Sequence, residues 1–596
     1  MSHRGVYNGS VRKLVLAFDV GTTYSGISYC FMDPGQQPSV KGVTKYPAQE
    51  HIMGASKIPT IIYYDQAGKV RAVGAEAVRE GIEEEAADQD WVKAEWFKLH
   101  LRSKNANDTR DITSQIPPLP PRKSIVDVWA DFLTYLYRCA RTYIEETQVN
   151  GISVFAFLCQ QDQIDFVLSH PNGWEGKEQE LMRNAAVKAG LIKNSAQGHE
   201  KLSFVTEGEA SLHFAIENGV LTETKDGDGI VIIDAGGGTI DISSYKNDIS
   251  KSKRTFEEIA APQCHLYGSV FVTMHASGYL ESFLTESDFL DDLEHIVKCF
   301  DRTTKIRFRS SDEPQYIKFG STRDNDAACS IRFGQMKLEG TQVEEFFKPS
   351  AMCIIKAVVA QKKLIHGQIR HVVLVGGFAA SDWLFHKIRS ELAKFSLNVM
   401  RPENHVSKAV SDGAISFYLD HYVRTRIARF TYGSFGNIEY DPSNKDHFKR
   451  RHKKTVFPSG ISVLPNHFTI ILPKDTQVSE TQEFREEYYE EYANASRFRE
   501  TRSEVWGYRG NLDNPQWRDQ DPCLSSTLLI ECALLISSSA NYKLLCTIQA
   551  DLSRLPFETH GKGKNRVYRV HLALVLLFGL TEMQALVAWT DRVRNL

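Results

Sequence analysis

The chain has 596 residues, of which 42% are hydrophobic and 24% charged, as in an ordinary globular protein with several domains. The formal net charge of −3 gives no reason to expect a nucleic-acid partner, and the ten cysteines contain no CxxC pair that would indicate a zinc site. The longest apolar run, residues 572–580, is too short to span a bilayer, so no membrane association is expected. Residues 1–13 lack the apolar core of a signal peptide, which predicts a cytoplasmic location, with the nucleus as the alternative.

Residues 14–28, LVLAFDVGTTYSGIS, predict a strand, a tight turn and a returning strand. The apolar run ends at Asp19. The turn and the start of the next strand consist of Gly21, Thr22, Thr23 and Tyr24. Backbone N–H groups in such a turn can approach an oxyanion, and a carboxylate beside them is well placed to hold a hydrated divalent cation.

A second hairpin of the same kind is predicted at residues 230–245, IVIIDAGGGTIDISSY. The strand ends at Asp234, and the turn consists of Gly236, Gly237, Gly238 and Thr239. A triple glycine is also found in plain hairpins, but an acid on the lip of the same turn favours phosphate binding. Two such hairpins indicate a duplicated architecture that clamps a polyphosphate between two carboxylates. Neither turn is a Walker A or a Rossmann motif.

A third glycine turn is predicted within residues 369–384, IRHVVLVGGFAASDWL. A buried strand ends before Gly376 and Gly377, and Ser381 is a candidate N-cap for a helix over residues 383–392. The glycine pair would let a base or a ribose lie against the backbone. Phe378 either stacks on that base or packs beneath the loop.

In order and spacing, the three stretches resemble the phosphate-1, phosphate-2 and adenosine motifs of the actin-like ATPase superfamily. The sequences DVGTTYSG and DAGGGTIDIS are similar to those of the corresponding motifs in the heat-shock protein 70 family. The resemblance implies an α/β class with a duplicated actin-like ATPase fold at residues 14–425, after a tail at residues 1–13. Each of its two lobes would hold a mixed sheet and helices, with inserted lobes at about 40–121 and 266–340.

The resemblance also implies a site for ATP or ADP with Mg²⁺. In the family, a lysine in an aromatic-rich stretch reaches the γ-phosphate, and Lys98 stands at the matching place, with Lys93 as a near alternative. Glu207 matches the glutamate that orients the attacking water in the family. The structural alternative is that its negative charge only stabilises a helix N-terminus through the helix dipole. Asp19, Asp234 and Glu207 would hold magnesium through water. Asp234 or Asp241 would help to position the attacking water, although Asp241 also fits a structural role.

Residues 426–596 predict a smaller β-rich region, with strands at residues 461–464, 468–472, 528–536, 542–548 and 568–578. It resembles a reduced substrate-binding or partner-binding domain that takes unfolded or peptide segments of other proteins, without a long helical lid. Residues 480–522 predict a loop or a partial helix. The leucine-rich acidic linker that joins the two domains in the family has no counterpart at residues 424–435.

The leading hypothesis is an ATP-binding switch of chaperone type that hydrolyses slowly. The second is a catalytically weak or inactive nucleotide-binding scaffold, which the missing linker and lid favour. A small-molecule kinase on the same fold is the third, and it needs an acidic base in a polar substrate pocket that the sequence does not indicate.

Overall fold

The computed structural model describes residues 4–49, 56–102, 116–174, 176–250, 254–365, 368–403, 406–519, 541–560, 566–579 and 582–589. These residues form two compact units. The first contains the described residues up to Trp174 and those from Glu178 to Arg424. The second begins at Thr425 and also takes in residues 176–177.

The strands of the first unit, the last of which continues into the second unit, are β1 Lys13–Val20, β2 Tyr24–Met32, β3 Lys41–Gly42, β4 Ile58–Pro59, β5 Ile61–Tyr64, β6 Val70–Val73, β7 Val92–Glu95, β8 Ile164–His170, β9 Leu202–Thr206, β10 Gly229–Ala235, β11 Ile240–Asp248, β12 Thr255–His265, β13 Gln315–Lys318, β14 Ile331–Arg332, β15 Gln335–Leu338, β16 Ile369–Val375, β17 Asn398–Met400 and β18 Val423–Ile427. The helices are α1 Ile82–Asp88, α2 Ile125–Thr147, α3 Gly151–Gln160, α4 Gly176–Lys188, α5 Ala196–His199, α6 Glu207–Glu217, α7 Ser269–Phe283, α8 Leu293–Cys299, α9 Lys305–Arg307, α10 Gly340–Leu364, α11 Asp382–Ala393 and α12 Ala409–Asp420.

Two sheets of the first unit repeat one topology. The first has the strand order β3-β2-β1-β8-β9, and the second contains the order β12-β11-β10-β16-β17. In each, the central strand is antiparallel to its hairpin partner and parallel to the strand on its other side. The mixed α/β class and the duplicated fold predicted from the sequence are therefore confirmed. Smaller three-stranded sheets, β6-β5-β7 and β13-β15-β14, follow the first and second hairpins along the chain. The numbered limits of the inserted lobes stay a prediction.

Helices α6 and α12 cross at very short range. A Cβ atom added at Gly413 in α12 would lie 1.8 Å from the carbonyl oxygen of Ala210 in α6, so only glycine fits the crossing. The far ends of the two helices are held by Arg4, whose buried guanidinium pairs with Glu217 at 3.1 Å and with Asp420 at 2.8 Å. The short segment before β1 is thereby attached to both helices.

The second unit is built mainly from strands. They are β19 Thr431–Glu439, β20 Thr455–Val456, β21 Ser462–Leu472, β22 Gln477–Ser479, β23 Glu483–Tyr492, β24 Thr501–Tyr508, β25 Tyr542–Ala550, β26 Glu558–His560, β27 Val567–Phe578 and β28 Met583–Trp589, with one short helix, α13 Lys445–Lys449. One sheet has the order β20-β21-β19-β24-β25, and in another β27 pairs with β23, β26 and β28. Tyr432, Val505 and Leu574 come from both sheets and share one hydrophobic core, which makes the unit a β-sandwich.

The strands predicted at residues 461–464, 468–472, 542–548 and 568–578 are confirmed by β21, β25 and β27, and one local prediction is wrong. Residues 480–522, expected as a loop or partial helix, contain the strands β23 and β24. The strand predicted at residues 528–536 lies outside the described residues. None of the helices in the described ranges is long and apolar enough to cross a bilayer.

Candidate functional site

The first candidate turn joins β1 to β2. All residues of β1 after Lys13 are buried, and Asp19 lies near its end, opposite Gly26 of β2. Gly21, Thr22 and Thr23 form the turn, and the N–H group of Thr60 donates a hydrogen bond to the carbonyl of Thr23 at 2.8 Å. Thr60, which lies outside the hairpin, therefore holds the turn in place. Tyr24, the first residue of β2, is half exposed.

The second candidate turn joins β10 to β11. The N–H group of Gly236 donates to the carbonyl of Thr239 at 2.9 Å, which closes the turn. Gly236 and Gly237 in turn accept hydrogen bonds from the N–H groups of Ser269 and Val270, at 3.1 and 2.9 Å. The start of α7 is therefore occupied by the turn, and its N–H groups hold the loop in place.

The two turns contact each other. A Cβ atom added at Gly237 would lie 2.3 Å from Oγ1 of Thr23, and one added at Gly238 would lie 2.4 Å from Oγ1 of Thr22. Real Cβ atoms do not approach other atoms so closely. The glycines are required here because the threonines of the other hairpin lie against them, a reason that the sequence pattern did not reveal.

Asp19 is buried and engaged on both carboxylate oxygens. Its Oδ2 pairs with Nζ of Lys57 at 2.6 Å, and its Oδ1 accepts from the hydroxyl of Ser169 at 3.1 Å. Neither partner was a candidate in the sequence, because Lys57 precedes β4 and Ser169 lies in β8, and no local pattern connects them to Asp19.

Lys98 and Glu207 form a buried ion pair. Lys98 lies in the 3₁₀ turn Phe97–Leu101, and its Nζ is 2.5 Å from Oε1 of Glu207, the first residue of α6. The pKa of Lys98 is raised: burial opposes the charge, but the carboxylates of Glu207 and Asp19 outweigh it. Burial raises the pKa of Glu207, against the opposing effect of Lys98. The alternative lysine, Lys93, pairs instead with Glu95 at 2.8 Å.

Aromatic rings position Lys98. The ammonium lies 5.7 Å from the ring centroid of Trp174, which suits a cation–π interaction. Phe97, beside it in sequence, packs edge-on against Trp129 and Phe132 of α2, with centroids 6.1 and 5.6 Å apart. The long amphipathic helix α2 therefore fixes the segment that carries the lysine.

Asp234 and Asp241 face each other across the second hairpin. Asp234 accepts from the hydroxyl of Ser211 at 3.4 Å, and burial raises its pKa well above the usual value, with Glu207 adding to the effect. Asp241 accepts from the N–H of Asn172 at 2.6 Å through Oδ1, while its buried Oδ2 has no hydrogen-bond partner among the described residues. Burial first, and then Glu207, raise the pKa of Asp241 to about 7.

The four acids of the site suit a divalent cation that contacts them through bound water molecules. Asp19, Glu207, Asp234 and Asp241 are buried and electrostatically coupled, with two lysines to balance them. An unpartnered buried carboxylate oxygen at Asp241 marks a place for a donor or a positive charge. Within the described ranges, no three acidic, histidine or cysteine side chains are arranged to ligate a metal directly. Carboxylate oxygens are the groups that a hydrated divalent cation prefers, and these four acids fit such a cation.

The third glycine turn meets the same acids. Gly376 has φ +93°, and a Cβ atom there would lie 2.1 Å from Oδ1 of Asp234, so glycine is required both by conformation and by contact. Gly377 has open space at its Cβ position. Phe378 is buried, with its ring 6.1 Å from that of Phe347 in α10, and belongs to the core beside the second sheet.

No protein-family model matches the chain. It is 23% identical to the human heat shock 70 kDa protein 12B over 504 residues, which cover 71% of this chain and 71% of the relative. It is also 23% identical to the human and mouse heat shock 70 kDa proteins 12A over 514 residues, or 70% of this chain and 71% of each relative.

Proposed function

We propose that the chain is a divergent member of the heat shock protein 70 family, given its similarity to heat shock 70 kDa proteins 12A and 12B, and that its first unit binds ATP or ADP with Mg²⁺ and hydrolyses ATP slowly. We further propose that its second unit binds unfolded or peptide segments of other proteins. The observation that carries the proposal is the contact between the two glycine–threonine turns, with Asp19, Asp234 and Glu207 buried beside them.

The turns supply groups that suit phosphate oxygens. Thr22, Thr23 and Thr239 bring hydroxyl groups that can donate to an anion, and glycine-rich turns of this kind can present backbone N–H groups to one. Gly377, whose Cβ position is open, leaves room for the nucleoside. Phosphoryl transfer needs mainly positioning and charge stabilisation, which such a cradle provides.

The charged residues have distinct roles in this proposal. Lys98 leaves Glu207 when nucleotide enters and turns to the γ-phosphoryl group, where its charge stabilises the transition state. Glu207, with Asp234 or Asp241, then orients the attacking water and accepts its proton. Asp19, Asp234 and Glu207 would hold magnesium through water, and the ion supplies neutralisation of the phosphate charge.

The β-sandwich of the second unit supports the proposed binding of peptides. An antiparallel sandwich offers sheet edges and loops that can hold an extended segment. Nucleotide binding would change the affinity of this unit for its partner, and the test is binding of a fluorescent extended peptide with ATP and with ADP.

The Lys98–Glu207 ion pair favours one alternative, a nucleotide-binding scaffold with little or no turnover. Both side chains are buried, and the carboxylate that would position water is bound to the ammonium at 2.5 Å. If this pair persists when nucleotide is bound, the ammonium makes Glu207 a weaker base and hydrolysis is slowed or lost.

The deciding experiment is calorimetric binding of ATP and ADP with magnesium, followed by single-turnover hydrolysis. Glu207→Gln keeps a hydrogen-bonding oxygen for Lys98 but removes the base, so we expect normal nucleotide binding and a roughly hundredfold or greater loss of hydrolysis. Glu180→Gln, at an exposed position of α4, is the matched control. Binding without wild-type turnover would select the scaffold, and absence of binding would refute the proposal.

A further inference from the structure

We propose that Lys57 is a positioning residue of this site that supplies, at Asp19, positive charge that a divalent cation would otherwise supply. Nucleotide binding by this chain would then depend only weakly on magnesium. The inference rests on the proposed function, because it concerns how the same site neutralises the phosphates.

Lys57 reaches Asp19 by a path that the hairpin provides. It directly precedes β4, which pairs with the first residues of β2. Gly26 lies opposite Asp19 in the hairpin, and a Cβ atom there would be 3.2 Å from Cγ of Lys57. The missing side chain at Gly26 lets the lysine stem cross β2, so its ammonium arrives 2.6 Å from Oδ2 of Asp19.

The ion pair between Lys57 and Asp19 is largely shielded from solvent. The side chain of Lys57 is 15% exposed and that of Asp19 is 4% exposed, so water screens the two charges poorly. With Ser169 on the other oxygen, both oxygens of Asp19 already have a hydrogen-bond partner. The ammonium of Lys57 also repels a second positive charge, so a cation that enters alone is favoured nearer Asp234 and Asp241.

The two lysines are distributed unequally over the four acids. Lys57 holds Asp19 and Lys98 holds Glu207, whereas Asp234 is hydrogen-bonded to Ser211 and Asp241 to Asn172. Lys98 is expected to move to the γ-phosphoryl group, which leaves Lys57 as the cation that stays beside the first turn. Its charge lies next to Asp19, two residues before the turn that begins at Gly21.

A purely structural ion pair makes a different prediction. If Lys57 only supports the fold, its removal should weaken nucleotide binding to the same degree with and without metal. If it replaces metal charge, its removal should weaken binding mainly when metal is absent. It should also open Asp19 to a free cation, so that the metal alone binds more tightly.

The test measures ADP binding by calorimetry in excess MgCl₂ and in excess EDTA, and Mn²⁺ binding to the nucleotide-free protein by electron spin resonance. For Lys57→Met, we expect the ratio of Kd in EDTA to Kd in magnesium to rise about tenfold over the wild-type ratio. We expect Mn²⁺ alone to bind several-fold more tightly to the variant. Lys57→Arg keeps the charge and should restore the wild-type ratio.

Lys13→Met is the matched control. Lys13 begins the same strand, and its Nζ pairs with the buried Asp165 at 3.2 Å, at the opposite end of β1 from the turn. It should leave the ratio unchanged. An unchanged ratio in Lys57→Met with intact ADP binding overturns this inference and leaves the proposed function standing.

Wild-type protein alone gives a second test, which does not require that the variant fold. A wild-type affinity for ADP that falls more than about a hundredfold in EDTA contradicts the inference. Failure of the wild type to bind ADP even with magnesium overturns the proposed function, and this inference with it.

Discussion

At the scale of single residues, the site depends on glycines, because the space that a side chain would fill is taken by another part of the chain. Gly237 and Gly238 leave room for Thr23 and Thr22, Gly376 for Asp234, and Gly26 for the stem of Lys57. Of these glycines, Gly376 has a positive φ angle and the others do not. For most of them, the requirement is therefore space between two parts of the chain rather than an unusual backbone.

Gly237→Ala tests this requirement. We expect the added methyl group to destabilise the first unit by about 1–3 kcal/mol, the usual cost of overpacking, and to weaken nucleotide binding. Urea unfolding and calorimetry provide the measurements. Thr23→Ala in the same chain removes the atoms that the methyl group meets and should recover most of the stability. Gly377→Ala, where the Cβ position is open and φ is −63°, should be nearly neutral in stability. An equal loss in the two single variants would refute the contact argument.

The sequence predicted the residues of the turns but not their partners. Asp19 and Asp234 could be found because each ends an apolar run before small residues, a pattern contained in a few consecutive positions. Lys57 and Ser169 reach Asp19 from other parts of the chain, and only the folded sheet brings them there. Glu207 and Lys98 were named through family resemblance; that they pair with each other was not predicted.

At the scale of elements, the crossing of α6 and α12 governs the position of Glu207. The acid is the first residue of α6, and Thr206 caps the helix by accepting from the N–H of Glu209. Four residues into α12, Gly413 lies against the backbone of Ala210. We expect a change in this helix contact to displace the carboxylate, because Glu207 lies one turn from Ala210 in the same helix.

Gly413→Ala should separate the two helices. We expect a loss of about 1–3 kcal/mol in unfolding free energy and a fall in single-turnover hydrolysis, because Glu207 moves relative to Asp19 and Asp234. The control is Gly278→Ala in the interior of α7, where nothing lies within 4 Å of the added atom. This control should gain up to about 1 kcal/mol from better helix propensity. Equal stabilities of the two variants would show that the crossing tolerates a side chain.

Strand β23 shows why one element was missed. Its sequence, EFREEYYEEY, is rich in glutamate, which is depleted in strands, so local propensity argues against a strand. In the fold it pairs along its whole length with β27, which is strongly apolar. Tertiary pairing overrides local preference, and a single sequence window does not contain that information.

At the scale of the whole molecule, the two compact units have separate hydrophobic cores. The first unit has cores beside each of its duplicated sheets, and the second has the core of its sandwich. A unit with its own core can unfold independently. The proposed switch therefore requires that nucleotide in one unit alter the free energy of the other.

Differential scanning calorimetry measures this coupling directly. We expect two unfolding transitions. Mg-ADP at a hundredfold excess over Kd should raise the unfolding free energy of the first unit by about 2.7 kcal/mol, and with it the temperature of that unit's transition. Under the switch hypothesis, ATP also moves the second transition, and Glu207→Gln, which binds ATP without hydrolysing it, should keep that shift for longer than the wild type after equal incubation with ATP. If neither nucleotide changes the temperature of the second transition, the result would favour the scaffold.

The contact between the two turns also has an evolutionary consequence. Duplicated halves of a protein usually diverge independently, since a change in one leaves the other unaffected. Here each turn is the packing surface of the other, so Thr22 and Thr23 in one half restrict what can replace Gly238 and Gly237 in the other. Among homologous sequences, a larger residue at position 237 should occur together with a smaller one at position 23. The two halves are therefore expected to change as a pair.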